Sequence, residues 1–161
     1  MDAPTFWNLI ATSKEAGRDD VDRQIEVLTE TLATLPPEEI VAFDRTFRAL
    51  MATAYRWDLW AAAYIINGGC SDDGFEYFRA WLIAQGERVF RDALSDPETL
   101  VDRADPDAEA EGMLYAAATA YESRVGAHLP DAESFPSDPA GEPWDDEDLH
   151  QMYPKLWTKF S

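Results

Sequence analysis

The stretch Arg56–Gly86, RWDLWAAAYIINGGCSDDGFEYFRAWLIAQG, decides the fold. Its opening third is almost wholly apolar and its closing third is strongly aromatic. Between them lies a polar knot, Asn67-Gly68-Gly69-Cys70-Ser71-Asp72-Asp73-Gly74. Asn and Gly accept the left-handed backbone that ends helices. Ser71 is a good N-cap, and Asp72 and Asp73 then fall in a first helical turn, where the helix dipole favours negative charge. The pattern predicts two antiparallel helices joined by a sharp turn.

Working outward, an apolar seam runs back to Pro37: Ile40, Phe43, Phe47, Leu50, Ala54, Trp57, Ala61 and Tyr64, at alternating spacings of 3 and 4. From Ala54 onward the other faces turn apolar too, through Tyr55, Leu59, Trp60, Ala62, Ile65 and Ile66. A helix apolar all round is buried all round. One long central helix from Pro37 is therefore expected, with a bend near Arg56 as the alternative.

Before it, Phe6, Leu9 and Ile10 predict a short helix to about Glu15, with Gly17 as its stop. Asp19 and Asp20 can cap a second helix whose face is Val21, Ile25, Leu28, Leu32 and Leu35, ending before Pro36-Pro37. After the hairpin, Glu87–Leu94 continues as helix, Asp96-Pro97-Glu98 opens a short one, and Glu109–Arg124 reads as another. In that last helix Met113, Leu114, Ala117, Ala118, Tyr121 and Val125 are expected inward. No strand-type alternation occurs. The expected fold is all-α, a single-domain irregular helical bundle. Residues 1–126 form its helical body, 127–143 an acidic Pro-rich linker loop, and 144–161 a Trp-rich segment that packs back.

The 161 residues, 46% of them hydrophobic, suffice for one core. Acidic residues outnumber basic ones 32 to 13, for a net charge of −19. Eight acidic and two basic residues follow Gly126, so −6 lies there and −13 is spread over the body. Such a surface repels phosphate backbones and anionic lipid heads, which argues against nucleic-acid and membrane partners; the favoured reading is a solvated, self-repelling surface, and a basic protein partner or a DNA-mimic role is the alternative. One cysteine makes no internal disulfide, no basic-then-apolar leader opens the chain, and the longest apolar run, Leu59–Ile66, is too short for the roughly 20 residues of a membrane span. A cytoplasmic location is expected.

The chemistry-bearing residues cluster around the knot: Trp57, Asp58, Trp60, Cys70, Ser71, Asp72, Asp73, Glu76, Arg79 and Trp81. Two readings stand side by side. In the structural one, the glycines permit the turn, Ser71 caps, the two Asp complement the dipole and Cys70 is a small filler. In the functional one, Asp58, Asp72, Asp73 and Glu76 bind a cation or act as acid and base; Asp72 and Glu76, four apart, share a helix face. The structural reading is favoured, because the pattern lacks the ligand count of a calcium loop. Arg56 and Asp58 lie in apolar surroundings and need partners, for which Arg48, Arg79 and the Asp72-Asp73 turn are the candidates. The sharper alternative is a carboxylate of raised pKa in a cleft of Trp57, Trp60 and Trp81. Cys70 has no histidine tied to it by spacing, since His128 and His150 lie in the linker and tail, and no zinc pattern, phosphate loop or nucleophile elbow is present.

Phe6-Trp7, Trp57-Asp58-Leu59-Trp60-Ala61-Ala62-Ala63-Tyr64, Gly68-Gly69-Cys70-Ser71-Asp72-Asp73 and Phe78-Arg79-Ala80-Trp81-Leu82 together resemble a bacterial family, common in actinobacteria, known only as a domain of unknown function. The resemblance covers about Met1–Leu100. It implies a small cytosolic protein and brings no activity, cofactor or catalytic residue with it.

The function expected from these residues is that of a non-enzymatic binding or regulatory protein without a cofactor. The alternatives are a metal- or carboxylate-dependent hydrolase using Asp58, Asp72, Asp73 and Glu76, and an acidic inhibitor or immunity-type protein that masks a basic partner.

Overall fold

Half of the described helices start at a side-chain cap or a proline. In the computed structural model, which describes residues 1–132 and 136–161, α1 spans Ala3–Gly17 and α2 spans Val21–Ala33. Asp2 accepts from the Thr5 amide and Asp20 from the Arg23 amide, each satisfying an orphan donor of the first turn. Gly17 does not supply the left-handed stop. That conformation falls on Arg18 (φ 47°) and Asp19 (φ 69°). Gly17 instead lies where a Cβ would come within 2.9 Å of Gln24 Cβ, so its missing side chain lets α1 and α2 touch. Buried Gln24 crosses that contact and donates to the Ala84 carbonyl at 2.8 Å.

The expected long central helix is two helices. α3 runs Pro37–Thr53 and α4 runs Trp57–Ile66. Between them Arg56 is extended (φ −136°, ψ 144°) and pairs with Ala140 as an isolated parallel bridge. The Ala140 amide donates to the Tyr55 carbonyl and the Trp57 amide to the Ala140 carbonyl, both at 2.9 Å. The remote loop thus takes backbone groups that a continuous helix would have used internally. The apolar seam carries across the break: Ala54 and Ala61 are buried, while Trp57 and Tyr64 are half-buried.

α5 (Asp72–Ala84) and α6 (Glu87–Ser95) follow, separated by Gln85 and by Gly86 at φ 107°. A 3-10 helix, Pro97–Asp102, begins at the Asp96 cap. The helix expected over Glu109–Arg124 divides into a 3-10 turn, Glu111–Leu114, and α7, Ala116–Val125. Tyr115 at the division is 55% exposed, and Val125, expected inward, is 43% exposed. Of the two alanines expected inward, Ala117 is buried and Ala118 half-buried; Ala116 and Ala120 are buried as well, where α7 packs on α2 and α3.

The described part of 127–143 contains no helix; residues 133–135 of that linker lie outside the described residues. α8 (Leu149–Met152) and α9 (Pro154–Phe160) then return to the body. Leu149, Tyr153 and Leu156 are buried, and α9 packs on α4 and on the 97–102 turn. Glu98 seats this segment by accepting the amides of Lys155 (3.3 Å) and Leu156 (2.9 Å). The fold is all-α, with no strand among the described residues, and no helix of it is long and apolar enough to cross a membrane. One core cluster, from Phe6 to Leu156, runs through it.

Candidate functional site

The joint between α4 and α5 is built as its local sequence dictates. Gly68 (φ 68°) and Gly69 (φ 118°) turn the chain, and the Gly69 amide closes α4 on the Tyr64 carbonyl at 2.8 Å. The Asn67 side chain reaches the Ala108 backbone, accepting from its amide at 3.0 Å and donating to its carbonyl at 3.4 Å. Ser71 caps α5 by accepting from the Gly74 amide at 3.1 Å. Asp72 and Asp73 lie in the first turn of α5 as expected, both exposed. Asp72 also accepts from the Tyr55 hydroxyl at 3.0 Å, which ties the joint to the α3–α4 break.

Beneath the joint the aromatic side chains form a continuous stack. Trp57 stacks on Trp60 (centroids 5.3 Å apart), Trp60 on Phe75 (5.1 Å), Phe75 on Phe78 (6.4 Å) and Phe78 on Trp81 (5.7 Å). Trp144 from the C-terminal segment meets the Trp57 end edge-on. The two exterior indoles are also tied to the backbone: Trp60 Nε1 donates to the Cys70 carbonyl at 2.9 Å and Trp144 Nε1 to the Trp57 carbonyl at 2.7 Å. Trp57, Trp60 and Trp81 therefore form parts of one packed row rather than three walls of a cleft, with Trp81, a buried side chain, at its far end.

Arg79 is 6% exposed, and no carboxylate among the described residues lies within ion-pair distance of it. Its guanidinium sits over the Tyr55 ring (4.4 Å) and the Phe75 ring (4.8 Å) and donates to the Met51 carbonyl at 2.8 Å. The cation thus satisfies a carbonyl in the last turn of α3, where the dipole is negative. Burial pushes its pKa down, and the nearby Glu76, Tyr55 and Asp72 oppose that.

The anticipated partners of Arg56 and Asp58 are replaced by the two residues themselves. Arg56 Nε donates to Asp58 Oδ1 at 3.1 Å, and Asp58 also takes the Leu59 amide at 2.7 Å. Arg48 instead holds buried Asp44, Nε to Oδ2 at 3.0 Å. Asp58 lines a groove of about 300 Å³ with Arg56, Glu142, Met152 and Tyr153. Asp72, Asp73 and Glu76 do not line that groove, so the four carboxylates do not converge on it. Among the described residues no group of three or more His, Cys, Asp or Glu side chains is placed to hold a metal ion.

The Cys70 thiol is half-buried, and its pKa is pushed up to about 12, first by burial and then by the carboxylates of Glu109 and Asp72. A thiol protonated throughout the physiological range is a poor nucleophile.

A second region escaped the sequence reading. α2 faces the 111–114 turn and α7 across a groove of about 340 Å³, lined by Asp22, Ile25, Glu26, Glu30, Gly112 and Tyr115 among others. The signal is in the sequence: Asp22, Glu26 and Glu30 recur every fourth residue on the polar face of α2, where Asp22 by itself reads only as first-turn charge that suits the helix dipole.

Residues 1–123 match a family model described as "Protein of unknown function (DUF4240)". The chain belongs to that family. The match extends past Leu100 and takes in α1 through most of α7, including both the joint and the α2–α7 groove; α8 and α9 lie outside it. No curated protein and no solved structure matches the chain.

Proposed function

We propose that this DUF4240 member is a non-enzymatic binding protein that recognises a cationic protein partner. The observation that supports this most is how the joint's reactive groups are employed. Ser71 caps α5, Asp72 holds the Tyr55 hydroxyl, Asp58 holds Arg56, and Cys70 keeps its proton to about pH 12. Each is already committed to an intramolecular role. The charge of −19 adds a long-range field that speeds encounter with positive surfaces and repels negative ones. Regulation by masking, as an inhibitor or immunity-type protein does, is the form of binding such a surface suits.

The test is affinity capture with the whole chain as bait at roughly 50 mM and roughly 500 mM salt, which straddle a Debye length of about 10 Å. The expected outcome is a partner of high isoelectric point retained at low salt and lost at high salt. Retention that ignores salt contradicts the electrostatic mechanism. Calorimetry with Mg²⁺, Mn²⁺ and Ca²⁺ is expected to give no heat; a binding isotherm abolished by substituting Asp72 or Glu76 would restore the hydrolase alternative.

A further inference from the structure

We propose that the α2–α7 groove is the docking surface for that partner and that its occupant is an Arg- or Lys-rich segment of a protein. This rests on the reading of the chain as a binding protein and adds where the partner sits.

The groove has two independent features. Its floor and far wall are apolar and close-packed: Ile25 lies so near Gly112 that a Cβ there would come within 3.0 Å of Ile25 Cδ1, and Tyr115 stands beside it 55% exposed. Among the described residues Tyr115 is the most exposed of the large apolar side chains, and it sits at the point where the 3-10 turn gives way to α7. Its near rim is a row of exposed carboxylates, Asp22, Glu26 and Glu30, one helical turn apart. Among the described residues only Glu26 of the three has a cation beside it, Arg23 at 3.4 Å, and both side chains of that pair are largely in water. Such a pair is weak and readily exchanged.

An aromatic face opposite a carboxylate row is complementary to Arg and Lys. The aliphatic stem lies on the apolar floor, the cation meets the ring face, and the charge reaches the rim. Four residues of α2 rise about 6 Å, close to the roughly 6.6 Å between alternate side chains of an extended segment. A second copy of this chain, or a nucleic acid, would bring its own negative charge to the rim. The groove beside Asp58 is less suited, because Arg56 already neutralises that carboxylate. The groove at the end of α1 carries Lys14 and Arg18.

The experiment is fluorescence anisotropy with the full chain and a fluorescein-labelled peptide of alternating Arg and Ala, roughly ten residues long so that its cations repeat at the spacing of an extended strand. Three variants are compared: Asp22→Asn/Glu26→Gln/Glu30→Gln, Tyr115→Ala, and a control of equal charge change, Asp145→Asn/Asp146→Asn/Glu147→Gln. Circular dichroism of each checks the fold. The groove triple and Tyr115→Ala are each expected to weaken binding about tenfold, and the control by no more than about twofold. Equal weakening by both triples, or an unchanged Tyr115→Ala, overturns the groove while leaving a cationic partner in place. Full displacement of the peptide by spermidine at matched charge overturns it in favour of a small polyamine. No binding by the unsubstituted chain at low salt removes the cationic partner and the groove together.

Discussion

The α4–α5 joint and the α2–α7 groove both gather carboxylates next to aromatic rings, and they use them in opposite ways. At the joint much of the polar chemistry is spent on the protein itself: Asp72 binds Tyr55, Ser71 binds Gly74, and the indole of Trp60 binds Cys70, while Asp73 and Glu76 have no cation at ion-pair distance among the described residues. At the groove the carboxylates of Asp22 and Glu30 have no cationic partner among the described residues, and the ring of Tyr115 lies half in water. Proximity of chemical groups is therefore a poor guide to function unless one asks what each group is already bonded to. A motif dense in Trp, Asp and Gly can be a fastening, and a plain amphipathic helix can carry the surface that meets a partner.

Removing the fastenings should cost stability in order of burial. Arg79→Ala is expected to have the largest effect, about 3 kcal/mol, because it leaves the Met51 carbonyl without its donor and unstacks two rings. In a chain of this size that is a fall in Tm of roughly 6–12 °C. Arg79→Met, which keeps the apolar stem, should recover part of it. Full stability in the alanine variant would show that the α3 end does not depend on this cation.

Gly17→Ala comes next. The new methyl meets Gln24 Cβ and its backbone nitrogen at 2.9 Å, neither of which is a flexible tip, so α1 and α2 must part at a cost of about 1–3 kcal/mol. An unchanged melting curve would mean the two helices are not held as closely as described. Ser71→Ala should cost about 1 kcal/mol through loss of the cap, without altering peptide binding.

Cys70 gives a pH-dependent signature. The folded thiol titrates near 12, against 9.0 for an ordinary one. Below pH 9 both states hold the proton and stability is unaffected. Between about pH 9 and 12 the unfolded chain releases it while the folded chain retains it, so stability falls as pH rises through that window. Cys70→Ser should flatten that part of the curve, and iodoacetamide at pH 8 should label the unfolded chain far faster than the folded one. Equal labelling rates would contradict the shielded thiol.

What could be read from sequence follows the range of the interactions involved. The Asp20, Ser71 and Asp96 caps and the glycine turn at 68–69 were legible because each depends on residues a few positions apart. The break at Ala54–Arg56 was legible only as the alternative of a bend near Arg56, because the apolar seam continues through it and its cause, the Ala140 backbone, lies far along the chain. Gly17 looked like a helix stop and proved to be a contact point with Gln24, a difference set by tertiary packing. The joint residues were found but their partners were not: pairing of Arg56 with Asp58, and of Arg48 with Asp44, depends on side-chain directions that composition does not carry. The groove was missed because attention to apolar periodicity passes over the polar face of the same helix.

If the joint holds the fold and the α2–α7 groove holds the partner, the joint's carboxylates are dispensable for binding. The affinity of Asp72→Asn/Asp73→Asn/Glu76→Gln for the labelled basic peptide decides this. This triple removes as much negative charge as the groove triple, from the residues that looked most functional. The expected affinity is within about twofold of that of the unsubstituted chain. A loss of about tenfold with the fold intact by circular dichroism would contradict it and return the joint to the centre of the function.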